Sequence, residues 1–186
     1  MITGNDILKK FNQRTLVLVK PDALERGLTG EIITRFERVG LRIADIKLVV
    51  PDKELAQKHY PVTDEWYKSV GDRSIADFEK YGLNTKEVLG TDDPIEIGKL
   101  IHSWNVEKFT GAQVIAMIIE GTHAVEVVRK ICGPTIPLLA APGTIRGDYS
   151  SNSAVVENSI RTAIRNLVHA SGSEEEAQRE IELWFG

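Results

Sequence analysis

This chain of 186 residues has one cysteine, Cys132, which excludes an internal disulfide and fits a reducing compartment. Long apolar runs are also missing. No window approaches the roughly 20 apolar residues of a membrane span, and Met1-Ile2-Thr3-Gly4-Asn5-Asp6 lacks the core of a secretory leader. A cytoplasmic protein with no membrane partner is expected. There is no excess of positive charge: 23 Lys and Arg stand against 27 Asp and Glu, a net charge of −4. That balance argues against nucleic acid as the main partner, because binding along a phosphate backbone needs clustered cations. Neither a Gly-x-x-x-x-Gly-Lys-Ser/Thr phosphate loop nor a Gly-x-Gly-x-x-Gly dinucleotide fingerprint occurs. His59, His102, His123, His169 and Cys132 never fall at metal-ligand spacing, so no structural zinc is expected.

What is present is ordinary globular material, 42% hydrophobic and 27% charged, enough for one domain or one domain with an insertion. Thr15-Leu16-Val17-Leu18-Val19 reads as a strand buried on both faces, ended by Lys20-Pro21-Asp22. Ile32, Ile33, Phe36 and Val39 keep helical spacing before Gly40, and 41–50 reads as a second strand. A short helix from Pro51-Asp52 ends near His59-Tyr60. Residues 61–108, punctuated by Pro61, Gly71, Gly82, Gly90 and Pro94, are expected to form short helical pieces folded as an insertion. Residues 114–119 form a third buried strand, and Thr122 caps a helix carrying Ala124, Val125, Val128 and Ile131 inward. Residues 133–153 read as one long loop, 154–164 as a helix, 166–168 as a fourth strand, and Ser173-Glu174-Glu175-Glu176 as the capping box of a last helix. Strands alternating with helices in this way suit a two-layer α/β sandwich with the helices on one sheet face.

Chemistry concentrates at Asn166-Leu167-Val168-His169-Ala170-Ser171. Histidine titrates near neutrality and suits nucleophilic or proton-transfer work; a satisfied strand-end histidine is the bland alternative. Lys20, Arg129, Thr135 and Arg146 lie beside Gly/Pro-rich backbone, and guanidinium, ammonium and hydroxyl groups together form the array that phosphoryl transfer requires. Taken singly, each is equally a surface group. At 100° per residue Ala177, Ile181 and Trp184 share a face, with Glu180 about 60° from Ala177 at its edge. A carboxylate there needs a partner, and His169 is a candidate. A Ser171–His169–Glu180 hydrolase triad lacks the nucleophile-elbow context.

Together Arg14 to Asp22, Arg26-Gly27-Leu28-Thr29-Gly30-Glu31-Ile32-Ile33, His59-Tyr60, Pro142-Gly143-Thr144-Ile145-Arg146-Gly147-Asp148, Arg165 to Ser171 and the Glu180 to Phe185 ending closely resemble the nucleoside diphosphate kinase family, over 14–60 and 109–185. The resemblance implies a ferredoxin-like sandwich with a four-stranded antiparallel sheet. It implies ping-pong transfer of the γ-phosphate of ATP to nucleoside diphosphates through His169. It assigns Glu180 and Ser171 to support of that histidine, and Lys20, Tyr60, Arg129, Thr135 and Arg146 to the phosphates. Asn166 with Lys20 would reach the sugar, Mg²⁺ would ride on the nucleotide, and the chain would form a homo-oligomer, a hexamer or a tetramer of dimers. One domain over 1–186 is expected, with insertions at about 61–108 and 149–164. The first of these replaces the segment that stacks on the base and leaves Trp104, His102 and Phe109 as candidates. A nucleotide-binding regulator on the same fold is the alternative function.

Overall fold

The computed structural model describes residues 9–60 and 62–186. In chain order the elements are β1 (Asn12–Val19), α1 (Pro21–Glu25), α2 (Thr29–Glu37), β2 (Arg42–Val49), α3 (Lys53–His59), α4 (Asp64–Lys80) and α5 (Thr85–Leu89). They continue with α6 (Pro94–Phe109), β3 (Val114–Thr122), α7 (Ala124–Cys132), α8 (Ile145–Tyr149), α9 (Ala154–Ser159), β4 (Val168–Ala170) and α10 (Glu174–Phe185). Backbone contacts group the chain into two compact units. One comprises the described part of Met1–Val50 with Gln113–Ser151 and Asn166–Gly186; the other comprises Pro51–Ala112 with Asn152–Arg165.

The first unit is built on a sheet of order β2-β3-β1-β4, antiparallel at every pairing. It is an α+β fold with a four-stranded antiparallel sheet and helices packed on it. Thr15 to Val19 are fully buried in the centre of the sheet, as their unbroken apolar run predicts. Val17 and Val19 pack with Met117 and Ile119 against Ile32 and Phe36 of α2 and Val128 of α7. Val39 lies past the end of α2 and is exposed, because Gly40 (φ +83°) turns the chain there.

The helices do not share one face, contrary to expectation. Residues paired across a ladder point to the same side, and Leu18 stands opposite both Ala116 and His169, with Ala116 opposite Lys47. On that side His169 bonds Glu180, and Lys47 Nζ lies 4.7 Å over the Phe185 ring. Both partners belong to α10, so α10 covers the face opposite α2 and α7. A central strand with no polar residue from Leu16 to Val19 needs cover on both sides.

Three boundaries also shift. Thr122 ends β3 and does not cap α7; the cap position falls to His123, in the left-handed region at φ 52°. Residues 133–153, expected as a bare loop, include a 3-10 turn at Pro137–Leu139 and helix α8. The helix expected over 154–164 stops at Ser159. Ile7 and Leu8, which with Phe11 give the polar residues 1–13 a weak helical hint, lie outside the described residues, as does Pro61.

The second unit is helical, with Phe78, Leu89, Ile97, Trp104, Val155 and Ala163 in its core. In place of the expected short pieces it has two long helices, α4 of 17 residues and α6 of 16, packed along each other. Gly71, read as punctuation, and Gly98 are both points of closest approach. A Cβ on Gly71 would sit 1.9 Å from Pro94 O, and one on Gly98 would sit 2.1 Å from Tyr67 O. Pro94 starts a helix here, following Asp93, whose Oδ1 accepts from the Ile95 and Glu96 amides at 2.8 and 3.0 Å. Among the described residues no helix is long and apolar enough to cross a membrane.

Candidate active site

β4 begins two residues later than expected, so His169 stands inside the strand, opposite Leu18, rather than in the Ser/Gly turn after it. Its side chain is 22% exposed, and its Nε2 lies 2.8 Å from Glu180 Oε2. Ser171 Oγ donates to the same oxygen at 2.7 Å. Ser171 is itself tied to β1, its N–H donating to Leu16 O at 3.2 Å and its Oγ accepting from Leu16 N at 3.3 Å. Glu180 is fully buried, so the inward face of α10 runs through Ala177, Glu180 and Trp184, with Ile181 at its margin. A buried carboxylate is costly unless hydrogen-bonded. Here the hydroxyl, the imidazole and, at 3.5 Å, Arg179 Nη2 surround it.

With Nε2–H donated to the carboxylate, the lone pair of the neutral imidazole resides on Nδ1. Burial holds the His169 pKa below its ordinary value of 6.5; the charges of Lys20, Arg146 and Arg179 push the same way, against the Glu176 carboxylate. The ring is therefore neutral at pH 7 and carries a nucleophilic nitrogen.

The cations are held in fixed positions. Lys20, 5% exposed, donates from Nζ to Asn166 Oδ1 at 2.8 Å, and Asn166 Nδ2 donates to Thr135 O at 2.9 Å. Arg146 belongs to the first turn of α8, which Thr144 caps by accepting from Gly147 N at 3.0 Å. Its guanidinium donates to three carbonyls, Asn166 O at 3.0 Å and Gly133 O and Val168 O at 2.5 Å each. It thereby stitches the segment after α7 to the strand that carries the histidine.

The Arg146-Gly147-Asp148 tripeptide is an anchoring device. A Cβ on Gly147 would come within 2.1 Å of Ala141 O. Asp148 accepts from Gly143 N at 2.8 Å and pairs with Arg35 Nη2 at 2.6 Å. Tyr149 OH donates to Glu31 at 2.8 Å and accepts from Arg35 Nη2 at 2.8 Å. α8 is thus bound to α2 through residues that sequence reasoning passed over. Their signal, charges spaced i and i+4 on α2, is indistinguishable from a solvated helix face.

The backbone between Asn166 and His169 is strained. Leu167 has φ 70°, and Val168 N donates to Asn166 O at 2.8 Å, a γ-turn of the rare positive-φ kind. Such a conformation costs a non-glycine residue about 1–3 kcal/mol. Leu167 N donates to Asp22 Oδ2 at 3.0 Å, and Leu167 O accepts from Lys20 N at 2.8 Å. Asp22 was also missed, since an acid in a first helical turn ordinarily reads as a dipole charge.

The remaining expected residues are placed as follows. Thr135 is exposed, and it is its carbonyl that joins the Lys20–Asn166 chain. Arg129 is exposed on α7, its Nη1 3.6 Å from where a Cβ on Gly172 would lie, at the turn following His169. Tyr60 belongs to the second unit, with its ring edge-on to Phe109 at 5.7 Å. Trp104 and Phe109 are buried in that unit, and His102 meets Tyr60, Trp66 and Tyr67 edge-on. Phe109 is 1% exposed, and Trp104, 9% exposed, lines a cavity with Lys108, Thr110 and Arg161.

The family model for nucleoside diphosphate kinase matches residues 13–74 and 96–186. The chain belongs to this family. A nucleoside diphosphate kinase of Pyrobaculum aerophilum is 44% identical over 173 residues, 93% of this chain and 94% of that protein. A crystal structure of an NDP kinase from the same organism has a TM-score of 0.90 and 42% identity, covering 94% of this chain and 96% of that one. The nucleoside diphosphate kinase of Borrelia burgdorferi, solved as a transition state mimic with bound vanadate and ADP, has a TM-score of 0.76 and 36% identity, covering 95% and 89%. Most of 61–108 has a counterpart in the Pyrobaculum kinase, whereas the family model passes over 75–95.

Proposed function

We propose that this chain transfers the γ-phosphate of a nucleoside triphosphate such as ATP to a nucleoside diphosphate through a phosphohistidine on His169, maintaining NTP and dNTP pools. One observation carries the reading: the fully buried Glu180 holds His169 Nε2 at 2.8 Å and is itself held by Ser171, which puts the lone pair on Nδ1. In the first half-reaction that lone pair attacks the γ-phosphorus. The bond to the β–γ bridging oxygen breaks, and its electrons leave with the diphosphate. In the second, a terminal phosphate oxygen of the acceptor attacks the same phosphorus, and the N–P bond returns its electrons to Nδ1. Glu180 balances the positive charge that grows on the ring in each transfer.

Lys20, Tyr60, Arg129, Thr135 and Arg146 hold phosphate oxygens in this reading, and Asn166 with Lys20 meets the ribose. The Glu180 carboxylate is already engaged by His169 and Ser171, and Lys20 and Arg146 are cationic, which suits a divalent metal carried by the nucleotide better than a protein cage. Mg²⁺, bound to the phosphates, would draw charge from the transferring group, and the same cations would hold that complex through its phosphate oxygens. The vanadate and ADP of the Borrelia kinase agree with a nucleoside diphosphate beside a phosphoryl-like group.

We further propose one kinase domain over 1–186 with insertions at about 61–108 and 149–164, a homo-oligomeric assembly (hexamer or tetramer of dimers), and a cytoplasmic setting, which the single, buried Cys132 suits. Purified protein given ATP, GDP and Mg²⁺ is expected to form GTP with parallel double-reciprocal plots, the mark of a substituted-enzyme cycle. Tight binding of ADP with no GTP formed would favour the regulator instead.

A further inference from the structure

We propose that Asp22 is a positioning residue for the phosphoryl transfer: its carboxylate holds Leu167 in the strained γ-turn that sets Asn166 and His169 in register. The inference rests on the reading of His169 as the phosphate acceptor, and the observations behind it are geometric. Leucine seldom adopts φ 70°. Four hydrogen bonds meet at this turn, Leu167 N to Asp22 Oδ2 at 3.0 Å, Lys20 N to Leu167 O at 2.8 Å, Val168 N to Asn166 O at 2.8 Å and Arg146 Nε to Asn166 O at 3.0 Å. Two of the four come from one short stretch, Lys20-Pro21-Asp22, so the end of β1 and the first turn of α1 grip the Leu167 residue by both its N–H and its C=O.

The carboxylate is unusually committed to this single contact. Asp22 is 5% exposed, and its Oδ1 is buried without a hydrogen-bond partner among the described residues. A buried charge with one oxygen unsatisfied is unfavourable unless its charge is balanced nearby, and the guanidinium of Arg146 lies within electrostatic range. An acid merely completing α1 would face water, as first-turn acids usually do. Here it faces inward onto the residue where the chain departs from ordinary geometry.

The consequence reaches every group in the row. If Leu167 relaxed to negative φ, the Asn166 carbonyl would swing away from Arg146 Nε and Val168 N. The side chain of Asn166 would then leave Lys20 Nζ and Thr135 O, and β4 would lose the fixed start that sets His169 opposite Leu18. Asp22 touches neither substrate nor the reacting nitrogen; it acts by denying the turn this relaxation.

The test compares wild type, Asp22→Ala and Asp22→Asn. Rapid-quench formation of phosphohistidine from saturating ATP and Mg²⁺ is measured per folded molecule, with amide exchange at Leu167. Asp22→Ala is expected to slow phosphorylation by about tenfold or more, since small misplacements of reacting groups are costly, and to speed exchange at the Leu167 amide. Asp22→Asn keeps an acceptor oxygen and is expected to restore both to within about threefold. A purely structural role would lower the folded fraction and the burst amplitude while leaving the rate per folded molecule unchanged. A rate for Asp22→Ala within twofold of wild type overturns the proposal, and so does an Asp22→Asn variant as slow as Asp22→Ala. Should Asp22→Ala fail to fold, Asp22→Asn decides alone: retention of the rate and of slow Leu167 exchange supports the clamp, and a tenfold loss contradicts it. Absence of phosphohistidine in wild type would instead refute the function proposed above, while Leu167 exchange would still read the clamp.

Discussion

Attack on phosphorus needs an imidazole that is neutral and whose lone pair sits on a defined nitrogen, and at His169 the two requirements have separate sources. Neutrality follows from burial and neighbouring cations; the choice of nitrogen follows from Glu180 and Ser171. Because the folded-state pKa of His169 lies below 6.5, the nucleophilic form persists as pH falls through 6.5 and is lost only further down. The phosphorylation rate of the enzyme at saturating ATP is thus expected to be flat from pH 8 to 6, and an inflection centred near 6.5 or above would contradict the assignment. The same shift makes the unfolded chain take up a proton first. The contribution of this residue to stability is therefore complete above 6.5 and declines below it. Arg146 has an observed structural duty and a proposed one at the phosphates. Its guanidinium secures three carbonyls, so Arg146→Ala is expected to lower the melting temperature; if it also holds phosphate as proposed, kcat/KM falls by the equivalent of roughly 2.7–4 kcal/mol, as for a preorganised donor. A loss below tenfold would remove it from the phosphate site. At this scale the types and spacings of Lys20, Arg146, Asn166, His169 and Glu180 were legible in the sequence. What was not legible was Asp22 holding Leu167, because nothing local marks a leucine for positive φ.

Elements were legible where periodicity and burial agree. The runs Leu16–Val19 of β1 and Val114–Ile119 of β3 are apolar and, apart from the half-buried Ile115, buried; α10 has its cap at Ser173, which accepts from Glu176 N at 3.1 Å. The capping box is incomplete, however, since the Glu176 carboxylate accepts from Gly172 N at 2.6 Å. Reading fails where one residue type serves two purposes. Gly71 and Pro94 read as breaks within 61–108, yet Gly71, together with Gly98, lets α4 and α6 touch, and Pro94 opens α6. Distinguishing a breaker from a contact glycine needs the partner helix, which a single sequence does not display. Gly71→Ala or Gly98→Ala forces a Cβ onto backbone at 1.9 or 2.1 Å. Each is expected to destabilise the protein by about 1–3 kcal/mol or more, read as a lower urea midpoint. A shift equivalent to less than about 0.5 kcal/mol, the range of a neutral surface change, would mean that the helices separate without cost.

For the whole molecule, the order β2-β3-β1-β4 explains why residues distant in sequence meet. β1 and β4 are neighbours although Leu18 and His169, paired across them, lie far apart in the chain, which brings Lys20 and Asp22 to the turn before His169. The covering of both sheet faces was hidden for a related reason: a helix pattern shows which side of the helix is apolar but not which side of a sheet receives it. Whether His169 accepts phosphate is read by incubating the protein with γ-labelled ATP and Mg²⁺ and mapping the label. A single acid-labile, base-stable phosphate is expected on the peptide carrying His169, discharged by added GDP and absent from His169→Ala. Label stable to acid, label on another residue, or undiminished labelling of His169→Ala would contradict that expectation.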